Sequence, residues 1–247
     1  MIRAWFILGD ILLSLLLYLS LASFVYMKPL VNITISSMPY DFEAVSLEER
    51  LSLLSADIGD AVFIRIFKKE SLLEVWIEGE DGNYQHLKDY PICAYSGRLG
   101  PKLQEGDRQA PEGFYQVKPH QLNPNSKFHL SFNLGYPNAY DKAHQRTGSF
   151  LMVHGHCVSV GCYAMTDQKI EEIYALVEGA LDNKQHSVQV HAYPFRMSQE
   201  NMSKYEGHPW YGFWLNLKEG YDAFETDKIP PRIQVKQKRY YVNISPI

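Results

Sequence analysis

The amino-acid sequence predicts an α+β domain made mostly of strands, with a helix following a loop that holds histidines and cysteines. Three observations carry this prediction. Between Val62 and Glu78 apolar and polar residues alternate with a period of two, the mark of half-buried strands. The same alternation returns around Phe128, Leu130 and Phe132, and again at Val188, Val190 and Ala192. After Asp167 the spacing changes to that of a helix, with Ile170, Ile173, Tyr174, Val177 and Leu181 on one face.

The chain has 247 residues, enough for one catalytic domain with terminal elements. Hydrophobic residues at 46% and charged residues at 21% are usual for a globular protein. A net charge of -4 and the lack of a basic stripe argue against a nucleic-acid partner.

Residues 1–27 read as a signal peptide or membrane anchor. Between Ala4 and Met27 the only charge is Asp10, Arg3 precedes the run, and Leu21-Ala22-Ser23 matches a small-residue cleavage site poorly. Export is therefore expected, with the chain held at a membrane if the segment is not cleaved. It also places Cys93, Cys157 and Cys162 where disulfides form, with an odd count that leaves one thiol over.

Residues 28–58 read as a linker and a short helix. Ser46-Leu-Glu-Glu49 matches a capping box, and Leu47, Leu51, Leu54 and Ile58 share a face until Gly59. The predicted catalytic domain runs from 59 to 195. Its first strands, through Ile66 and through Val75, flank a hairpin turn at Lys68 to Ser71, and a second turn at Gly79 to Gly82 leads to a strand through Leu87 and on to Tyr95. Ser96 to Gly113 is a long charged loop whose Arg98, Lys102 and Arg108 suit either a carboxylate-binding site or a solvated surface. Gly135 to Gly148 reads as a polar loop, and Phe150 to Val153 as a buried strand that delivers His154. Residues 196–247 read as a helical C-terminal extension ending in a strand-like piece, Tyr240 to Ile244.

The stretch from His154 to Asp167 holds the reactive side chains. Gly155 and Gly161 permit sharp turns, and Asp167 reads as the cap of the helix, which places Cys162 near exposed amides that favour a thiolate. Several assignments compete. A zinc site from His154, His156, Cys157 and Cys162 lacks the usual paired C-x2-C spacing and a second half-site. A Cys157–Cys162 disulfide would close a small loop. A cysteine nucleophile with a histidine base needs an imidazole near the thiol and an acceptor that fixes its tautomer. No acid lies in the loop, so a backbone carbonyl is the nearest orienting group.

The pattern Val-His154-Gly, followed by Ser159-Val-Gly161-Cys162-Tyr163-Ala-Met, resembles the active-site signature of the L,D-transpeptidase catalytic domain, the YkuD-like family, in its YafK-type branch. Tyr95-Ser-Gly-Arg98-Leu-Gly-Pro-Lys102, Gly106-Asp-Arg108-Gln-Ala-Pro-Glu-Gly113, Asn133-Leu-Gly-Tyr-Pro-Asn138 and Arg146-Thr-Gly extend the likeness over roughly Asp60 to Phe195. The resemblance implies a β-sandwich-type domain and an exported enzyme of peptidoglycan metabolism, in the periplasm of a Gram-negative bacterium and anchored at the inner membrane if the leader is kept. It implies that Cys162 attacks the amide of a stem-peptide diaminopimelate and that His154 acts as base and then acid. The Gly155 carbonyl would orient His154, and the Gly161 amide would hold the oxyanion. Arg98, Arg108, Arg146, Ser159 and Tyr163 are the implied substrate contacts, with no metal and no cofactor; the alternative for the arginines is ion pairing with local acids such as Asp107 or Asp141.

The thioester would pass to an amine, giving transfer, or to water, making the enzyme an L,D-carboxypeptidase or an amidase that releases a wall-attached lipoprotein. A non-catalytic wall-binding module is the reading from another class. Val160 stands where many members carry histidine, and the loop from His154 to Cys162 is short. On this reading Cys157 is a bystander or a redox partner of Cys162, and Cys93 is core.

Overall fold

The computed structural model describes residues 45–243. The predicted leader and most of the predicted linker lie outside the described residues, as does Ile244. Among the described residues no helix is long and apolar enough to cross a membrane.

Strands β1 (Val62–Phe67), β2 (Leu72–Glu78), β3 (Tyr84–Pro91), β5 (Gly113–Val117) and β10 (Val188–Tyr193) form one sheet in the order β3-β2-β1-β10-β5. A second sheet has the order β4-β9-β8-β7-β6, from β4 (Ala94–Tyr95), β6 (Leu122–Ser126), β7 (His129–Asn133), β8 (Met152–His154) and β9 (Tyr163–Ala164). Pairing is antiparallel except for β1 with β10 and β8 with β9. The two sheets and a helix, α3 (Asp167–Asp182), share one core, in which Val62, Ile64, Val75 and Val190 meet Phe132, Val153, Tyr163, Ile173 and Val177. The described residues fall in one compact unit, so the C-terminal segment through residue 243 is part of the body.

That segment explains why β1 is buried on both faces. The alternation predicts one solvated face carrying Phe63, Arg65 and Phe67. A C-terminal helix, α5 (Tyr211–Asp227), covers that face: the Phe63 and Phe224 rings lie 4.7 Å apart, and the Arg65 guanidinium bonds Glu225 at 2.7 Å and buried Glu74 at 2.7 Å. Gly220 lets this helix approach, because a Cβ there would meet the Phe114 ring at 2.6 Å. A terminal hairpin, β11 (Ile233–Lys236) with β12 (Arg239–Val242), completes the cover and seats Tyr240 against Phe114 and Tyr140.

Several local expectations are corrected. The first helix among the described residues, α1 (Leu47–Leu54), is capped by Ser46 as predicted, but it stops at left-handed Ser55 and leaves Ile58 exposed. Thr166, whose side chain accepts from the Lys169 amide, caps α3, and Asp167 is its first residue. The polar loop from 135 to 148 contains a short helix, α2 (Ala139–Ala143), whose capping box pairs Asn138 with Asp141. Phe150 is 72% exposed with a positive φ, so the strand before His154 is shorter than the apolar run. Another short helix, α4 (Gln199–Ser203), begins after Ser198.

The charged loop from 96 to 113 is tied down from beneath by Lys68. Its fully buried ammonium donates to the carbonyls of Arg98, Gly100 and Ala110 and to the Glu112 carboxylate. Glu112 also accepts from the Gly100 amide and the Trp214 indole. Burial pulls the Lys68 pKa down while Glu112 opposes it. Replacing Lys68 with Met strands a buried carboxylate and takes one of two donors from three carbonyls, which keep Gln109 Nε2, so we expect a loss of about 3–5 kcal/mol in denaturant unfolding. A loss under about 1 kcal/mol would show that the loop does not depend on this ion pair.

Candidate active site

The reactive groups are set by the parallel pairing of β8 with β9. Val153 lies opposite Tyr163 and His154 opposite Ala164, so Cys162 falls opposite Met152. Side chains alternate along a strand, and Val153 and Tyr163 point into the core. Cys162, Met152 and His154 therefore share the other face of the sheet. Gly161, at φ +104°, turns the chain into β9, and nothing but glycine adopts that angle without strain.

Cys162 is the free cysteine among the described residues and is half-buried. Its sulfur receives the Met152 amide at 3.4 Å and directs its own proton towards the Phe150 carbonyl at 3.8 Å. His154 is buried, and its Nδ1 lies 2.5 Å from the Gly155 carbonyl oxygen. A carbonyl only accepts, so Nδ1 carries the proton and Nε2 is left as the basic nitrogen. The Phe128 ring packs 4.8 Å from the imidazole.

Burial pushes the Cys162 thiol up, against the opposing pull of the Met152 amide and the Lys102 ammonium. Burial likewise pulls the His154 pKa down, the Gly155 carbonyl opposing it. Both shifts favour the neutral thiol and neutral imidazole at rest. The sequence expectation of a thiolate stabilised by a helix start is thus corrected: β9 separates Cys162 from α3. The first residue of that helix serves the histidine side instead, where the Asp167 carboxylate accepts from the His156 amide at 2.8 Å.

The other expected site residues separate into groups. Arg98 and Arg108 are exposed and make no ion pair among the described residues. Arg146 is buried, bonded to the buried Asp141 carboxylate at 2.8 Å and flanked by Tyr140 and Phe213, each ring 5.1 Å away. Its guanidinium is occupied inside the fold, which corrects the expectation of a substrate clamp. Tyr163 is fully buried and donates its hydroxyl to the Pro111 carbonyl, so it supports the loop and does not face a ligand. Ser159 donates to the Cys162 carbonyl at 2.7 Å and shapes the turn around the nucleophile. The Gly161 amide, expected as an oxyanion donor, donates to Ser96 Oγ at 2.6 Å.

The cysteines differ most from expectation. Cys93 and Cys157 form a disulfide, with Cα atoms 5.3 Å apart. Cys157 is neither a buried bystander nor paired with Cys162, and Cys93 is exposed at the link between the sheets. The two are 64 positions apart, and only the packing of β4 beside β9 brings them together. Sequence reasoning also assigned no role to Ser96 or Phe128. The Ser96 motif was visible, but its contact with Gly161 crosses between distant segments.

Comparison with known proteins identifies the family of the chain. The family model of the YkuD L,D-transpeptidase catalytic domain matches residues 61–190. YafK of Escherichia coli (strain K12), which carries the provisional name L,D-transpeptidase, is 50% identical over 187 residues, 75% of this chain and 75% of its own. Among solved structures, the helical cell shape determining protein Pgp2 of Campylobacter jejuni is 18% identical with a TM-score of 0.44, covering 77% of this chain and 80% of its own. Bd1075 of Bdellovibrio bacteriovorus is 17% identical with a TM-score of 0.41, covering 72% of this chain and 78% of its own. The chain belongs to the YkuD family of L,D-transpeptidase catalytic domains, a family of peptidoglycan enzymes.

The raised thiol pKa has a direct readout. Alkylation of Cys162 by iodoacetamide is expected to accelerate with pH beyond the ordinary thiol value of about 8.5, because only the thiolate reacts. A rate that is already level below pH 7 would mean that a thiolate–imidazolium pair exists at rest.

Proposed function

We propose that this protein is an exported cysteine acyltransferase, in which Cys162 forms a thioester with the diaminopimelate carbonyl of a peptidoglycan stem peptide. The observation that carries this reading is a half-exposed free thiol on the same sheet face as a histidine whose Nδ1 is fixed by a carbonyl. His154 Nε2 takes the thiol proton as the sulfur attacks, so charge separates only as the new bond forms. A resting hydrogen bond between the two side chains is not required, since such contacts tighten when substrate is bound.

The carbonyl oxygen becomes an oxyanion beside the Gly161 and Cys162 amides, where Ser96 Oγ is exchanged for the substrate oxygen. His154 then returns its proton to the leaving amine as the amide bond breaks. An incoming amine attacks the thioester carbonyl while His154 takes its proton, and the carbon–sulfur bond breaks with that proton returned to Cys162, giving a cross-link or attachment. Water in the same place gives hydrolysis, including release of a wall-attached lipoprotein.

Arg98 and Arg108 are the proposed carboxylate contacts, supported by their exposure and by the fork geometry of guanidinium. The Cys93–Cys157 bond supports placement in an oxidising compartment such as the periplasm, with residues 1–27 as signal or inner-membrane anchor.

Purified muropeptides, with and without a lysine-ended peptide attached, test the reaction by mass spectrometry. Dimers identify transfer and free peptide identifies hydrolysis; Cys162→Ala should lose both, and full activity in that variant would end the proposal. Because burial lowers the His154 pKa, the rate should hold through neutrality and fall only as pH drops below the ordinary histidine value of about 6.5. A rate that grows on acidification would contradict a neutral imidazole base. Arg98→Ala and Arg108→Ala should each raise KM about 10-fold and leave kcat unchanged. An unchanged KM in both variants removes the clamp assignment.

A further inference from the structure

The Cys93–Cys157 disulfide takes no part in the reaction just described, yet it grips the loop that carries the nucleophile. From Cys157 to Val160 the chain is exposed or half-exposed. Among the described residues, no hydrogen bond from this stretch reaches another element. The Val158 amide donates to the His156 carbonyl, and the Ser159 hydroxyl donates to the Cys162 carbonyl, both within the loop. The flanks are held by side chains, His156 by Asp167 and the Phe128 ring and Gly161 by Ser96. The middle is held by sulfur alone.

Cys93 sets where that anchor leads. Its amide donates to the Ala164 carbonyl at 2.9 Å, on β9 just beyond the nucleophile. Cys157, the sulfur bridge, Cys93, this hydrogen bond and the chain back through Cys162 thus close a ring. Opening the bridge leaves the turn that presents Cys162 without an anchor at its centre. Both cysteines are exposed, so a dithiol in solution can reach the bond.

We propose that the Cys93–Cys157 disulfide is a positioning element for Cys162, so that acyl transfer proceeds only while this second pair of cysteines is oxidised. This rests on the thiol mechanism above. A dithiol reduces the bridge to two thiols and is itself oxidised to a disulfide, and Cys162 is not consumed.

The test compares oxidised wild type, wild type reduced with dithiothreitol and desalted without oxygen, and the Cys93→Ser/Cys157→Ser variant. Three quantities are read: kcat and KM on muropeptides, peptide-resolved labelling of Cys162 by iodoacetamide, and thermal unfolding. We expect kcat to fall about 10- to 100-fold in the reduced and variant proteins, the scale set by a small misplacement of a reacting group. KM should change little and the fold should persist at the assay temperature. Cys162 labelling should slow or change its pH profile, and air reoxidation should restore the wild type but not the variant. An unchanged kcat on reduction overturns the proposal, and so does a loss of activity that appears only together with unfolding. If the double variant fails to fold, the reduced wild type decides alone. An oxidised wild type with no activity would instead defeat the thiol mechanism itself, so the two failures are distinguishable.

Discussion

The parallel pairing of Met152–His154 with Tyr163–Ala164 is the constraint on which the site depends. Two parallel strands cannot be joined by a tight hairpin, so the chain must leave His154, loop back and re-enter the sheet beside it. The register then decides the chemistry. A shift of one residue would turn Cys162 into the core beside Val153 and bring Tyr163 to the reactive face. Burial of Val153 and Tyr163 therefore specifies the position of the sulfur as firmly as any contact made by the sulfur itself.

Around this pairing, hydrogen bonds and a disulfide fix the groups that shape the site. The imidazole is oriented by the next residue's carbonyl, and the nucleophile's turn is drawn together by Ser96, Ser159 and the disulfide. The loop from 96 to 113 is held from below by Lys68 and Glu112. The C-terminal helix covers the far face of the first sheet, and its Trp214 reaches the same Glu112. The layer farthest from the reaction is thereby connected to the loop that borders it.

Much of the fold was legible because burial and periodicity agree. The alternation from Val62 to Glu78, the helix after Thr166 and the strand through Val190 all follow from apolar spacing. Periodicity failed where an element is too short to show one, as in β4 and β9, or where capping side chains rather than apolar residues build it, as in α2. His154, Gly155 and Cys162 were legible because the motif packs them into one turn-rich stretch. A long-range contact hid the pairing of Cys93, which reads as a core residue until Cys157 arrives across the sheet, whereas Asp141 lies five positions from Arg146 and its ion pair was legible as the alternative to a substrate clamp.

The central claim is that Cys162 becomes covalently acylated with His154 as its base. Acid-quenched protein, taken during turnover of a diaminopimelate-containing stem peptide, is most directly tested by intact mass followed by peptide mapping. The account predicts an added acyl group on the peptide containing Cys162, with its formation strongly slowed in His154→Ala. An adduct on another side chain, or turnover with no adduct and no dependence on His154, would contradict it.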